Sequence, residues 1–428
     1  MGLCSSKMAA QYGAMKARRS EKKALFVVSS TAQAEMFSSI SKQLLNWDIL
    51  AININKWFKR EEIEKALERV GLPFKTIGSC RERATNQILK EEQPDVVVFG
   101  NDMNPMDKLI IRSASSFGIP TLLVQDGILV ANTDVTDMSN NAKSRLNYWA
   151  SIPPRIFGLI RSKQYSLGGK AVVVFLEWKY GTREKPEIYG CGDCSKIAVF
   201  GEAVKDIFIS RGIDTERIVV TGNPKFDQLL DCKPHDQKQN IITRLGIPPD
   251  KEIILLVTQP FVEGRIWNSS QRKEFIVSIV DATAALPNAQ LIIKLHHPQE
   301  SEQDYFEIIR DITQRPIICS NVPINELLKA CSLVLVTSST VALEAMAIGK
   351  PVVVVNVFKN RDAAFFSESG ALFAEEKEDI LSVMRKALYE YQEGNEMTKA
   401  RDRFVYRQAY LQDGQASKRI ADLIMSMH

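Results

Sequence analysis

Half of the chain's four histidines stand side by side in LIIKLHHPQE, residues 291–300. They follow an apolar run and precede Pro298, which lacks an N–H and biases His297 towards extended backbone, so a strand has to stop there. Alternation puts Lys294 and His296 on one face and Leu295 and His297 on the other. A lysine in an apolar strand is costly unless its charge is met. A diphosphate beside an imidazole would meet it; so would a snorkelling lysine next to a structural histidine, with no ligand at all. Adjacent histidines point opposite ways and no third ligand accompanies them, so the pattern argues against a metal.

Two more stretches carry groups suited to the same chemistry. In VTSSTVALEAMAIGKPVVV, residues 336–354, a hydroxyl-rich turn opens a helix directly after an apolar strand. Backbone N–H groups and the helix dipole make such a turn a phosphate seat. Ser338, Ser339 and Thr340 can add donors, and Glu344, one helical turn beyond Thr340, can accept from ribose hydroxyls. The plainer alternative makes Ser339 an N-cap and Glu344 a solvated helix residue. In VQDG, residues 124–127, Gly127 lets the chain turn and leaves the Asp126 carboxylate exposed, either as a general base on a hydroxyl or as an Asx-turn. CGDC, residues 191–194, lacks a second pair and reads as incidental thiols.

Positioning these groups requires strand ends. From residue 23 short β-branched runs alternate with amphipathic stretches, the rhythm of a parallel sheet covered by helices. Strands are expected at 23–30, 48–55, 73–77, 94–102, 119–127, 196–201 and 217–224. After a Pro-, Asp-, Lys- and Gln-rich linker (223–239) they resume at 252–260, 289–298, 316–319, 332–339 and 351–356. The implied organisation is a basic, disordered leader (1–22), an N-terminal Rossmann-like acceptor domain (23–222) with an irregular insertion at 131–190, a C-terminal Rossmann-like nucleotide-donor domain (240–395) and a helical tail (396–428). Ligands bind beyond the carboxyl ends of such strands. Those ends supply Ser29, Ser30, Asn101 and Asp102 as acceptor-side candidates, and Gln259 on the donor side.

Composition sets the outer limits. The 428 residues carry a net charge of +4, too mild to argue for nucleic acid. The excess is local to residues 1–23, where Lys7, Lys16, Arg18, Arg19, Lys22 and Lys23 face only Glu21, so the rest of the chain is close to neutral; such a tail suits peripheral contact with an anionic membrane surface or is a solvated leader. MGLCSSK also fits an N-myristoylation pattern, with Cys4 as a second acylation site, or is a chance match. Apolar runs are far short of a bilayer span, and scattered cysteines indicate reduced thiols. A cytoplasmic protein, peripheral at most to the inner membrane surface, is expected.

At this point the residues resemble a known group. IAVFGEAVKDIFISRGIDTERIVVTGNPKFDQLL (197–230) and SSTVALEAMAIGKPVVVVN (338–356) look like the end of the first domain and the donor segment of GT-B nucleotide-sugar enzymes, which include non-hydrolysing UDP-N-acetylglucosamine 2-epimerases and capsule and teichoic-acid polymerases. QDG, HP and SS, in this order, are similar to motifs of bacterial sialyltransferases and their capsule-synthesis relatives. The resemblance implies an α/β GT-B fold with two Rossmann-like domains facing a cleft, and a glycosyltransferase. Such an enzyme would move a sugar or polyol-phosphate from a nucleotide-activated donor to a polysaccharide or glycolipid acceptor, with inversion and with no cofactor or obligatory metal. Asp126 would be the base, His297 would steady the leaving phosphate, Ser338 and Ser339 would hold that phosphate, and Glu344 the ribose. Two departures stand out: Gln125 replaces the first of two acids common before this glycine, and the doubled histidine leaves the choice between His296 and His297 open. The epimerase alternative would want Gly-Thr-Arg-Pro-Glu after the first strand, where this chain has SSTAQAEMF, and it would want carboxylates for both faces of the sugar's C2. A non-catalytic nucleotide-sugar-binding protein is the other alternative, favoured if Asp126 turns into its own loop.

Overall fold

The structure is a computed structural model that describes residues 21–54, 60–77, 82–103, 105–127, 189–190, 192–230, 234–296, 299–312, 315–391 and 394–427. Residues 1–20 of the leader with its acylation pattern, almost all of the 131–190 insertion, Cys191 and the His297–Pro298 pair lie outside these residues. The chain divides into two compact units, Met1–Pro224 with Gln415–His428, and Lys225–Gly414.

The first unit runs β1 (Lys22–Val28), α1 (Thr31–Ser41), β2 (Trp47–Asn53), α2 (Arg60–Val70), β3 (Phe74–Thr76), α3 (Glu82–Glu92), β4 (Val96–Phe99), α4 (Pro105–Ser116), β5 (Thr121–Val124), β6 (Lys196–Val199), α5 (Glu202–Ser210) and β7 (Ile218–Val220). All pairings are parallel, in the order β3-β2-β1-β4-β5-β6-β7. A parallel sheet must be covered on both faces, which is why its strands are apolar throughout rather than alternating. Leu25, Val27, Val97 and Phe99 pack on one face with Ile110 and Phe208; Ala24, Phe26, Val28 and Val98 pack on the other with Phe37 and Ile40. Lys23, counted with the basic leader, is built into β1: it is buried and paired with Glu92 (2.6 Å) and Asp48 (3.0 Å), so it is not available to a membrane surface.

The two units divide within the segment expected as a linker, and its described residues include α6 (Pro224–Leu230) and the start of α7 (Pro234–Leu245). Each begins on a proline, whose fixed φ and missing N–H suit a first helical position; prolines read as breakers are here helix starts. The second unit continues with β8 (Glu252–Val257), α8 (Ser269–Ala284), β9 (Ala289–Lys294), α9 (Glu302–Ile308), β10 (Ile317–Cys319), α10 (Ile324–Ala330), β11 (Leu333–Val336), α11 (Val341–Ala347), β12 (Val352–Val355), β13 (Leu372–Ala374), α12 (Ile380–Tyr389) and α13 (Glu396–Ala409). Its parallel sheet has the order β10-β9-β8-β11-β12-β13.

The helical tail is divided between the units. After α13 the chain turns through Tyr410 and Gly414, both at positive φ, and α14 (Ala416–Ser426) belongs to the first unit. There Ile420, Ala421 and Ile424 are fully buried against the β1 face with Phe37, and Arg419 Nε donates to the Thr221 carbonyl at 2.7 Å. Among the described residues no helix is long and apolar enough to cross a membrane.

Candidate active site

Each sheet reverses its strand order once, between β1 and β4 and between β8 and β11, and in open parallel sheets the crevice at such a reversal is where ligands sit. In the first unit the reversal is occupied by a tight polar corner. Ser30 caps α1, its Oγ accepting from the Gln33 N–H at 3.2 Å. Gln33, fully buried on the first turn, accepts at Oε1 from the Ser29 N–H (2.7 Å) and Oγ–H (2.9 Å), and donates from Nε2 to Asp126 Oδ2 at 2.8 Å. Its amide crosses the end of β4, where a Cβ on Gly100 would come within 2.5 Å of Nε2. The Ser29–Ser30 pair and Asp126, read from two strand ends, are thus brought together by a residue the sequence reading passed over. The signal was present: Ser-x-x-Gln is a capping-box pattern.

Gln125, beside the candidate base, is buried; its Oε1 accepts from Phe200 N (2.8 Å) and its Nε2 donates to the Gly127 carbonyl (2.6 Å). It ties β5 to β6 and fixes the turn carrying Asp126. Two acceptor-side expectations change. Asn101 folds onto its own loop, accepting from Met103 N at 2.6 Å. Asp102 is buried, with its carboxylate accepting from Gly190 N (3.1 Å) and Gly192 N (3.0 Å); it anchors the chain returning towards β6. Between them lies Tyr189, whose hydroxyl donates to the Gly100 carbonyl at 3.4 Å. Burial, followed by the charges of Asp126 and Asp102, pushes its phenol well above the usual range, so it stays neutral.

In the second unit Gln259, after β8, accepts at Oε1 from the Ser338 N–H (2.9 Å) and Oγ–H (3.1 Å), after β11. Ser339 is buried and accepts from Val341 N at 3.3 Å; Thr340, not Ser339, is the N-cap of α11, and its side chain is exposed. Glu344 keeps partial solvent access, yet burial raises its carboxyl to about 7 against an opposing pull from Lys225. Behind Gln259, Phe261, Trp267 and Phe275 stack at 4.4 and 5.0 Å and, with Thr258, Thr337 and Arg272, line a small cavity.

Lys294 is half-buried, and its ammonium donates to the Ser320 carbonyl after β10. Burial lowers its pKa, with Cys319 and Glu302 opposing. Its ammonium thus has a backbone partner, with the Glu302 carboxylate close enough to favour its charge. His296 is exposed, with Nδ1 at 2.9 Å from Gln299 Oε1. The turn after it is held by Glu300, a second residue the sequence reading passed over. Buried, its carboxylate accepts from His296 N at 2.8 Å, from the Thr258 hydroxyl and from the Tyr305 hydroxyl. His297 lies outside the described residues, so the choice between the histidines is not decided by position. No cluster of three or more His, Cys, Asp or Glu suited to a metal occurs among the described residues.

The UDP-N-acetylglucosamine 2-epimerase family model matches residues 195–425, more than half of the chain. The chain belongs to the UDP-N-acetylglucosamine 2-epimerase family. Solved structures agree on the fold of this family member, two parallel-sheet Rossmann-like units of the GT-B kind. The UDP-GlcNAc 2-epimerase from Neisseria meningitidis bound to UDP-GlcNAc is similar over 94% of this chain and 100% of its own, at 14% identity and a TM-score of 0.60. The wall teichoic acid polymerase TagF, as an H444N variant soaked with CDPG, covers 99% and 93% at 14% identity and 0.56. Anabaena HepE in complex with UDP and glucose covers 95% and 100% at 16% identity and 0.52. No curated protein matches the chain in sequence.

Proposed function

We propose that this member of the family is a nucleotide-sugar-dependent glycosyltransferase that moves a sugar or polyol-phosphate onto a carbohydrate or glycolipid hydroxyl. The observation that carries this reading is the use made of polar groups at the first unit's strand ends. Asn101 and Gln125 are amides, Asp102 is bound to backbone, and Glu202 opens α5 and pairs with Lys205 at 3.4 Å. Among the described residues at those strand ends, Asp126, half-buried and held by Gln33, is the carboxylate we assign to take the proton. One base suits transfer: the acceptor O–H gives its proton to Asp126; with a sugar donor the oxygen bonds to the anomeric carbon with inversion and the bond from that carbon to phosphate oxygen breaks, and with a polyol-phosphate donor it bonds to phosphorus and the bond from that phosphorus to the nucleotide's phosphate oxygen breaks. Ser338, Ser339 and a histidine of the 296–297 pair would bear the leaving phosphate's charge, and Glu344 the ribose. Relatives solved with UDP-GlcNAc, CDPG and UDP support a nucleotide-sugar partner.

Family membership favours a second reading, epimerisation at C2 of UDP-N-acetylglucosamine, which needs a proton taken from one face and returned to the other. Two measurements separate the readings. A thermal-shift panel of CMP, CDP, UDP and GDP derivatives on wild type and His297→Ala should give stabilisation by at least one nucleotide, growing as RT ln(1 + [L]/Kd); no shift with any of them sinks the donor site. Asp126→Asn should keep that shift and lose transfer. Conversion of UDP-N-acetylglucosamine in deuterium oxide, with label entering C2, would establish the epimerase reading instead.

A further inference from the structure

We propose that Gln33 is the positioning residue for Asp126, holding its carboxylate ionised and oriented at the first sheet's reversal. This rests on Asp126 acting as the base. The amide has one possible orientation. A backbone N–H can only donate, so the Ser29 N–H at 2.7 Å identifies its partner as the Gln33 oxygen, and the Ser29 hydroxyl at 2.9 Å shares that oxygen. The group 2.8 Å from Asp126 Oδ2 is therefore the Gln33 NH2, a donor with no acceptor capacity. A donor fixed in this way favours the charged over the protonated carboxylate.

The amide cannot drift. Gln33 is 1% exposed, its backbone is set by the Ser30 cap, and its side chain fills the space left by the missing Cβ of Gly100, 2.5 to 2.7 Å from where that atom would stand. Tyr189, neutral and donating to the Gly100 carbonyl, and Asp102, whose carboxylate accepts from the Gly190 and Gly192 N–H groups, lie at the same corner. Neither supplies a positive charge, and the Gln33 NH2 donates directly to the Asp126 carboxylate at 2.8 Å, which favours its charged form.

The test uses Gln33→Met, which keeps length and removes the donor, and Gln33→Glu, which replaces it with a second carboxylate. Asp126 is followed directly by titrating the side-chain carboxyl carbon in protein labelled with 13C-aspartate, its signal identified by its loss in Asp126→Asn. In Gln33→Met the Asp126 titration should move up by about one pH unit, and further in Gln33→Glu. With an active donor, kcat should fall about 10- to 100-fold while KM for the donor stays put and the acid limb of the kcat/KM profile moves up with Asp126. An unmoved Asp126 titration in a folded Gln33→Met protein overturns the proposal whatever the activity. A moved titration in a protein that transfers nothing from any nucleotide donor supports the contact and overturns the transferase reading alone. If Gln33→Met does not fold, Gly100→Ala addresses the same bond, because its new Cβ must push the amide aside; the Asp126 titration should again rise, and no rise refutes the proposal.

Discussion

Glu344 offers a quantitative test of the second unit. Its carboxyl is raised to about 7 from an ordinary 4.5, chiefly by burial. Between these two values the folded protein holds more protons here than the unfolded chain, so stability falls as pH rises through that window, and the penalty is complete above 7. At about 1.4 kcal/mol per unit the shift corresponds to at most about 3 kcal/mol, and partial solvent access reduces that to about 1–2 kcal/mol. Glu344→Gln removes the charge and keeps the shape. It should raise the melting temperature at pH 8 by about 3–6 °C, and most of the gain should vanish at pH 5, where wild-type Glu344 is itself largely neutral. Differential scanning calorimetry at the two pH values measures this. A gain of equal size at both, or a loss at pH 8, would refute the argument that a desolvated charge is being relieved. Glu344 is also the residue proposed above to meet the ribose hydroxyls, and on that proposal the same substitution should weaken ribonucleotides more than their 2′,3′-dideoxy forms.

Other substitutions probe the shell around the site. Glu300→Gln leaves one oxygen for three donors (His296 N and the Thr258 and Tyr305 hydroxyls); it should cost about 2–4 kcal/mol, read as a lower urea midpoint, and should weaken nucleotide binding. Asp102→Ala strips the acceptor from Gly190 and Gly192, and should cost about 1–3 kcal/mol and speed proteolysis near residue 190, without moving the acid limb of the pH–rate profile. Gly370→Ala should prevent stable folding, checked by far-UV circular dichroism, because φ is +73° and the new Cβ would lie 2.1 Å from the Met397 carbonyl oxygen. Ile424→Ala, within the first unit's core, should cost about 2–5 kcal/mol.

The strands were legible because buried parallel strands are written as bare runs such as VVVF and LVLV. The three residues of β13, LFA, carry too little pattern to be read that way. Composition at 223–239 did not show its helices, because Pro and Asp mark breaks and helix starts alike. The strand-end polar residues were visible, and Gln259 with Ser338 behave as a pair across the reversal. What Lys294 and Asp102 bind was not visible. Their partners are backbone groups of Ser320, Gly190 and Gly192, and any residue type offers the same carbonyl or N–H, so no letter of the sequence announces them. The adjacent histidines suggested chemistry in their own right; the anchoring acid proved to be Glu300, four residues beyond His296.

The closing helix α14 has a consequence for how the protein is made. Residues 225–414 form one unit, while the first unit draws Ile420, Ala421 and Ile424 into its core. During synthesis the β1 face around Phe37 and Ile40 therefore stays uncovered until those residues have left the ribosome, whereas the second unit has all its strands earlier. Domains generally fold in the order in which they are made; here the intervening unit can finish first, and the nascent first sheet is the part that chaperones would have to shield.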